Sequence, residues 1–224
     1  MKYLKKFETE ADVMMFVKPN VVLVEDTGSV LYNVDSSGVY IQHVDGTLYT
    51  TDEWTAGGFT SDLANGVAVI DAACQFVAAK EQVSTSGTSW YPNGLVSGVM
   101  AETTQSIAET DYAGVENTAV IIATGNATNG AADKCAKYTF PNGQTGYLPA
   151  LGELMVYNKY REDIQAALSL IGAQDGNNVL WSSTQYDASY AWGLQALFER
   201  AEYSKKAPSG GSYNRVRAFT TLSL

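Results

Sequence analysis

This chain of 224 residues has one histidine, two cysteines and fewer basic than acidic residues, 14 against 24, and each scarcity argues against a class of function. His43 alone would have to serve any base–nucleophile pair, and neither Cys74 nor Cys135 has a histidine near it in sequence. No G-x-S-x-G or phosphate-loop pattern occurs. The glycine-containing stretch GTSWYPNGLVSG lacks the lysine and the strand-to-helix setting that cradling a phosphate needs. One His and two separated Cys do not make a structural zinc site of ordinary spacing. No EF-hand loop is present, although loop carboxylates and asparagines leave calcium open. With 24 acidic residues against 14 basic ones the net charge is −10, which argues against nonspecific nucleic-acid binding and against docking on anionic membranes, but leaves a protein or sugar partner open. No apolar run reaches bilayer length. In MKYLKKFETEADVMMF, Glu8, Glu10 and Asp12 interrupt what a secretory signal keeps apolar, so no signal peptide is evident and no membrane insertion is expected.

What is present is enough chain for one large domain, or a main domain with a small appendage, and for a core built without metals or disulfides. The two cysteines either bridge or remain as buried thiols, and the apolar setting of Cys74, DAACQFVAA, favours thiols. Residues 8–16 predict a short helix stopped at Lys18-Pro19. VVLVEDTGSVLYNV reads as two β runs around Asp26-Thr27-Gly28, and GVYIQHV and TLYTT as a second pair around Asp45-Gly46. The first of these runs form either a small β appendage or the first strands of one continuous fold. Residues 54–65 read as a loop and GVAVIDAACQFVAAK as buried strands. After a turn-rich stretch, DYAGVENTAVIIAT predicts a helix with Tyr112, Val115, Ala119 and Ile122 on its apolar face. NATNGAADKCAKYTFPNGQTGY reads as loop. The strongest helix is LPALGELMVYNKYREDIQAALSLIG, with Pro149 in its first turn, Gly172 at its stop and a break at Asp163. NNVLWSSTQY, AWGLQALFE and NRVRAFTTL are strands. In the second, alternation points Trp192, Leu194, Ala196 and Phe198 inward, and Gly193, Gln195, Leu197 and Glu199 outward. Strands, two helical regions and strands again imply an α+β fold.

The adjacent acids Asp52/Glu53 and Glu162/Asp163 read as solvated surface charge rather than as an acid–base pair. Trp181 and Trp192 belong to a regular frame and read as core. Trp54 and Trp90 are either core lids or contact residues. Within residues 181–219 a regular frame (WSST, AW, NRVRAF) surrounds side chains of no single chemistry: Tyr190, Leu197, Arg200, Tyr203, Pro208 and Tyr213. Catalysis needs a specific constellation, whereas a contact surface can use such a mixture. Tyr190, Tyr203 and Tyr213 therefore read as exposed binding residues, because tyrosine supplies large amphipathic area at low rotamer cost.

GYLPALGELMVYNKY, then VLWSSTQYDASYAW, then NRVRAF resembles the pattern of C-type-lectin-fold domains of the formylglycine-generating-enzyme subgroup. KKFETEADV, VKPNVVLVEDTGSVLYN and GVYIQHVDGTLYTTDEW resemble the amino-terminal part of gut-phage or prophage tail proteins that carry such a domain. The resemblance spans nearly the whole chain, most specifically residues 146–219. Among the proteins the chain resembles are the variable proteins of diversity-generating retroelements, which keep a scaffold and vary its C-terminal segment, template adenines being replaced at random. It implies a C-type lectin fold with a β-rich N-terminal appendage at residues 1–37, and a ligand-binding domain at 38–224 with a variable segment at 181–219. In that family, Asn codons ending in C or T reach Tyr, Ser, Gly, Ala, Asp, Arg, Leu or Pro, but not Gln, Glu, Lys, Met or Trp. The resemblance therefore implies ligand contact at Asp187, Tyr190, Gly193, Leu197, Arg200, Tyr203, Ser204, Pro208, Ser212 and Tyr213, with Trp181, Trp192, Phe198 and Val216 fixing the backbone. Gln195, Glu199, Glu202, Lys205 and Lys206 would need another template codon. The calcium motifs of animal lectins (EPN, QPD, WND) and the paired C-terminal cysteines of the enzyme subgroup are absent. The expectation is thus no enzyme, no cofactor and no resident metal. The implied function is a receptor-binding component on a phage tail or bacterial cell surface, contacting an unknown protein or glycan, with homo-oligomerisation left open. The alternative is a structural module of a tail or surface assembly with fixed subunit contacts.

Overall fold

The computed structural model describes residues 3–5, 22–23, 30–32, 37–84, 87–174, 176, 179–195, 200–206 and 214–222. The chain divides into two compact units, Met1–Ser37 with Leu224, and Gly38–Ser223. In the first, β1 (Tyr3–Lys5), β2 (Val22–Leu23) and β3 (Val30–Tyr32) form an antiparallel sheet in the order β1-β3-β2. The β2–β3 pair realises the two runs expected around residues 26–28. That turn itself, and the helix expected over residues 8–16, lie outside the described residues.

The second unit is α+β. Its larger sheet is antiparallel in the order β11-β7-β6-β4-β5, built from β4 (Gly38–His43), β5 (Leu48–Tyr49), β6 (Ala64–Ile70), β7 (Gln75–Ala78) and β11 (Phe219–Thr221). β6 is buried on both faces. Val67 and Val69 join a core with Ile41, Phe76, Leu154, Tyr157, Ile164, Leu168 and Leu194, while Ala68 joins one with Trp90, Ile121, Phe140, Leu148, Trp181 and Val216. A strand covered on both sides has no polar face to alternate, hence the unbroken apolar run GVAVI. The Phe76 and Phe219 rings stack at 4.2 Å, tying β11 to β7.

Residues 54–65 are not simply loop: α1 spans Thr51–Ala56, followed by a 3₁₀ turn at Ser61–Leu63. Thr50 and Glu53 cap α1 reciprocally, and its one buried residue, Trp54, packs on Tyr49 and Phe59. His43, at the end of β4, is half-buried in the same aromatic group, its Nδ1 3.0 Å from the Asp45 carboxylate. α2 (Gln105–Ala108) and α3 (Gly114–Ala123) follow the turn-rich stretch. α4 (Ala131–Lys137) lies where loop was expected, because Ala131, Ala132 and Cys135 bury one side of it. Cys74 is half-buried and Cys135 buried, and neither is in a disulfide.

α3 corrects the expected apolar face. Tyr112, Val115, Ala119 and Ile122 are exposed, and Gly114, Asn117, Thr118 and Ile121 are buried. Tertiary hydrogen bonds override the apolar stripe. Asn117 Nδ2 donates to Asp111 Oδ2 (3.0 Å) and Ser183 Oγ (3.2 Å), while Thr118 Oγ1 accepts from the Leu148 amide (2.9 Å). Asn117 and Thr118 have to face inward because groups without water need partners.

The long helical stretch is two helices, α5 (Leu151–Lys159) and α6 (Arg161–Leu170), broken at Tyr160 rather than at Asp163. Lys159 Nζ and the Tyr160 hydroxyl both donate to Asp71 Oδ2, at 2.6 and 2.8 Å, pinning the break. Asp163 instead sits with Glu162 in the first turn of α6, where acids suit the helix dipole. Gly172, at φ 70°, ends α6, with the Ala173 amide donating to Leu168 O (2.8 Å) and the Gly172 amide to Ser169 O (3.2 Å).

Pro149 lies ahead of α5, and the N-cap position is Ala150, which has no side-chain acceptor. The free amides are satisfied from elsewhere in the fold. Leu151 N donates to Thr184 Oγ1 (2.9 Å), Gly152 N to Asp111 O (2.8 Å) and Ala150 N to Glu153 Oε2 (2.7 Å). Asp111 Oδ2 also accepts from Thr184 Oγ1 (2.8 Å), and Tyr147 OH donates to Glu153 Oε1 (2.8 Å). Among the described residues, no helix is long and apolar enough to cross a membrane.

Burial pushes the Glu153 carboxyl up to about 7 from an ordinary 4.5, against the lowering effect of the Ala150 and Tyr147 hydrogen bonds. Between those values the folded chain holds a proton that the unfolded chain has released. Unfolding free energy therefore falls as pH rises through this window and levels off above it. Relative to Glu153→Gln, the wild type is expected to lose urea midpoint between about pH 5 and about pH 7.5. Equal pH dependence in the two proteins would refute this.

Candidate functional site

The smaller sheet, in the order β10-β9-β8, carries the candidate surface on β8 (Val179–Gln185), β9 (Tyr190–Gln195) and β10 (Arg200–Lys205). β8 is held along its length. Trp181 N donates to Arg215 O and Ser183 N to Pro149 O, and the Trp181 indole donates to Thr88 O (2.6 Å). Gln185 Oε1 accepts from Val96 N (2.9 Å), and its Nε2 donates to Val96 O and Val99 O. Residues 214–218 lie between β8 and residues 79–88 without forming a long final strand, and only Phe219–Thr221 are regular. Trp181, Trp192 and Val216 are buried, as the frame reading expects, whereas Phe198 lies outside the described residues. Trp54 and Trp90 are core residues too.

Across β9 and β10 the register pairs Tyr190 with Lys205, Trp192 with Tyr203 and Leu194 with Ala201 on one face. At its base Trp192 is 4% exposed, its indole donating to Glu102 O (2.7 Å) and its ring packing with Ala108, Leu151 and Ala201. At its top Tyr203 is 48% exposed. Tyr186 stacks on Tyr203 at 4.1 Å with 20° between planes, and Tyr190 meets both edge-on at 6.3 and 5.7 Å. Trp192 stands across the pair at 5.2 and 5.7 Å. Three tyrosines thus form one patch on a buried tryptophan. Desolvation, then Tyr203 and Asp187, raise the Tyr186 phenol above its ordinary value.

Tyr190 and Tyr203 are the two expected contact residues that the structure brings together. Tyr186, at the end of the expected strand NNVLWSSTQY and among neither the frame nor the expected contact residues, completes the patch. Its signal was the WSST-Q-Y spacing, which puts it at the end of β8 beside the turn. Arg200 and Ser204 occur in strand β10 rather than in a loop, and their register partners Gln195 and Ala191 place them on the opposite face from the patch. Arg200 is exposed, with Nε donating to Gln195 Oε1 (3.3 Å), and Ser204 is half-buried. Asp187 shapes the turn: its Oδ1 accepts from the Ser189 and Tyr190 amides at 2.6 and 2.8 Å. Leu197, Pro208, Ser212 and Tyr213 lie outside the described residues.

Gly193 corrects the expected alternation. It is buried, and a Cβ there would stand 2.4 Å from Leu180 O, so no side chain can project from this position to a ligand. Gln195, expected outward, is half-buried. Lys206 is buried and structural, donating to Gly94 O and Gln185 Oε1, both at 2.7 Å, with Nζ 4.6 Å from the Trp90 ring centre. Desolvation lowers its pKa to about 8. Desolvation, with Glu153 and Asp71 nearby, pushes the Cys74 thiol up to about 12, which is the reverse of an activated nucleophile. Among the described residues no group of three His, Cys, Asp or Glu is placed to hold a metal.

The patch and its support should separate in stability. Trp192→Ala is expected to cost about 3–5 kcal/mol and Gly193→Ala about 1–3 kcal/mol, whereas Tyr203→Ala costs about 1 kcal/mol or less. Urea unfolding of the three variants checks this ordering.

No protein-family model, curated protein or solved structure matches this chain.

Proposed function

We propose that this chain is a ligand-binding protein with a C-type lectin fold, whose contact surface is the patch of Tyr186, Tyr190 and Tyr203. The observation that carries the reading is the gradient from anchored Trp192, 4% exposed, through half-buried Tyr186 and Tyr190 to Tyr203, 48% exposed: aromatic anchors held from below. Such anchors dominate binding energy because little freedom is left to lose. The LPALGEL, WSST and NRVRAF segments that carry the resemblance to retroelement-diversified proteins are the ones that interlock beneath this surface. On this reading the chain binds rather than catalyses. It serves as a host-recognition component of a phage tail or bacterial surface, and its target is a surface protein or glycan.

The exposed Val115 and Ile122 on α3, with exposed Tyr112 just ahead of it, favour a second reading, an assembly module with fixed subunit contacts. Sedimentation of wild type and Val115→Glu separates the two. A wild-type oligomer dispersed by the substitution supports assembly, and an unchanged monomer supports binding through the patch.

Binding of the labelled chain to bacterial surface extracts is expected to fall at least about tenfold in a Tyr186→Ala, Tyr190→Ala, Tyr203→Ala variant with unchanged circular dichroism. Retained binding would place the site elsewhere. The same locus sequenced in sister isolates should differ at Tyr190, Arg200 and Tyr203 while Gly193 stays glycine. Uniform codons throughout would remove the diversification reading.

A further inference from the structure

Among the described residues the proposed contact surface ends in an unpaired sheet edge. β10 is the outer strand of its sheet and keeps continuous antiparallel register with β9 over all six residues, with no bulge or proline. The ladder phase follows from the amide of Lys206, which donates to Ser189 O at 2.9 Å, and from Tyr190 O, which accepts from Tyr186 N and Asp187 N on the β8 side. Antiparallel pairs alternate between bonded and non-bonded. Ser204, Glu202 and Arg200 therefore turn their backbone groups to β9, and Tyr203 and Lys205 turn theirs away from the sheet. Among the described residues nothing pairs with those outward N–H and C=O groups. Both residues are exposed, and Tyr203 is also the outermost ring of the patch.

We propose that β10 takes an extended segment of a partner protein as a fourth strand, with the tyrosine patch receiving that segment's side chains. This rests on the reading of the patch as the binding surface and names the class of partner. Alternating donors and acceptors at strand spacing are complemented by another extended backbone, and by no rigid sugar ring. The occupant is a different protein rather than a second copy, because two chains of net charge −10 repel. Charged Arg200, Glu202 and Lys205 along the strand oppose indiscriminate edge pairing and leave selection to the side-chain contacts.

The test uses the full chain and a displayed library of random peptides of about twelve residues. Selected peptides are titrated against wild type, Lys205→Ala and Lys205→Pro. Proline at an outward-facing edge position removes a donor that β9 does not use, so the fold is kept. Strand addition predicts affinity within about twofold for Lys205→Ala and a loss of about tenfold or more for Lys205→Pro. Amide exchange on the wild type supplies an independent reading, with slowing at Tyr203 and Lys205 when peptide is bound. Failure to select peptides, equal affinity for Lys205→Pro or unslowed exchange at these two amides overturns the proposal. So does a concentration-dependent dimer dispersed by Lys205→Pro, which would assign the edge to a second copy. If surface-extract binding is lost in the tyrosine variant but kept in Lys205→Pro, the patch reading stands and strand addition falls.

Discussion

A buried polar joint at the start of α5 is the constraint on which the rest of the second unit depends. The Asp111 carboxylate accepts from the Thr184 hydroxyl and the Asn117 amide, Thr184 in turn accepts from Leu151 N, and Glu153 closes the end of the helix with Tyr147. Each of these groups is away from water, where an unmet donor or acceptor costs more than a met one contributes. The joint therefore fixes where α5 begins, how α3 is rotated and where β8 runs. Since β9 pairs with β8 across a register shift between Trp181 and Gln185, and β10 pairs with β9 in continuous register, the tyrosine patch inherits its position from hydrogen bonds made well beneath it.

The division between support and surface follows from that inheritance. Trp192 spends its indole N–H on Glu102 O, and Lys206 spends its ammonium on Gly94 O and Gln185, so neither is available to a ligand. The patch tyrosines make mostly ring contacts with one another, and their replacement leaves no buried polar group unmet. Gly193 marks the limit of this freedom: it lies on the central strand within the same segment, yet the Leu180 carbonyl fills the place of a side chain. Replaceability is thus a property of position on the sheet rather than of the segment as a whole.

How far the sequence could be read follows from which residues interact locally. Gly172 stopping a helix, Asp45-Gly46 turning a hairpin and the inward set of Trp192 and Leu194 were legible because each depends on a few neighbouring residues. The Thr50–Glu53 spacing that caps α1 is equally local, but the glycines that follow it read as loop. The turn of α3 was not legible. Its most apolar stripe faces out, and Asn117 and Thr118 face in, for the sake of partners 66 and 30 residues away in sequence. β10 was hidden for a related reason: RAEYSK alternates no clear apolar set, and it is a strand because β9 offers it a ladder.

By itself the sequence determined the class of fold, α+β. Hydrophobic period, turn residues and the scarcity of His and Cys are all readable one segment at a time. Only the tertiary structure decided which tyrosines meet, that Tyr186 is among them, that Gly193 is closed and that β10 is the outer strand of its sheet among the described residues. Those outcomes depend on strand register and on buried hydrogen bonds between distant segments, and these exist only once the chain has folded.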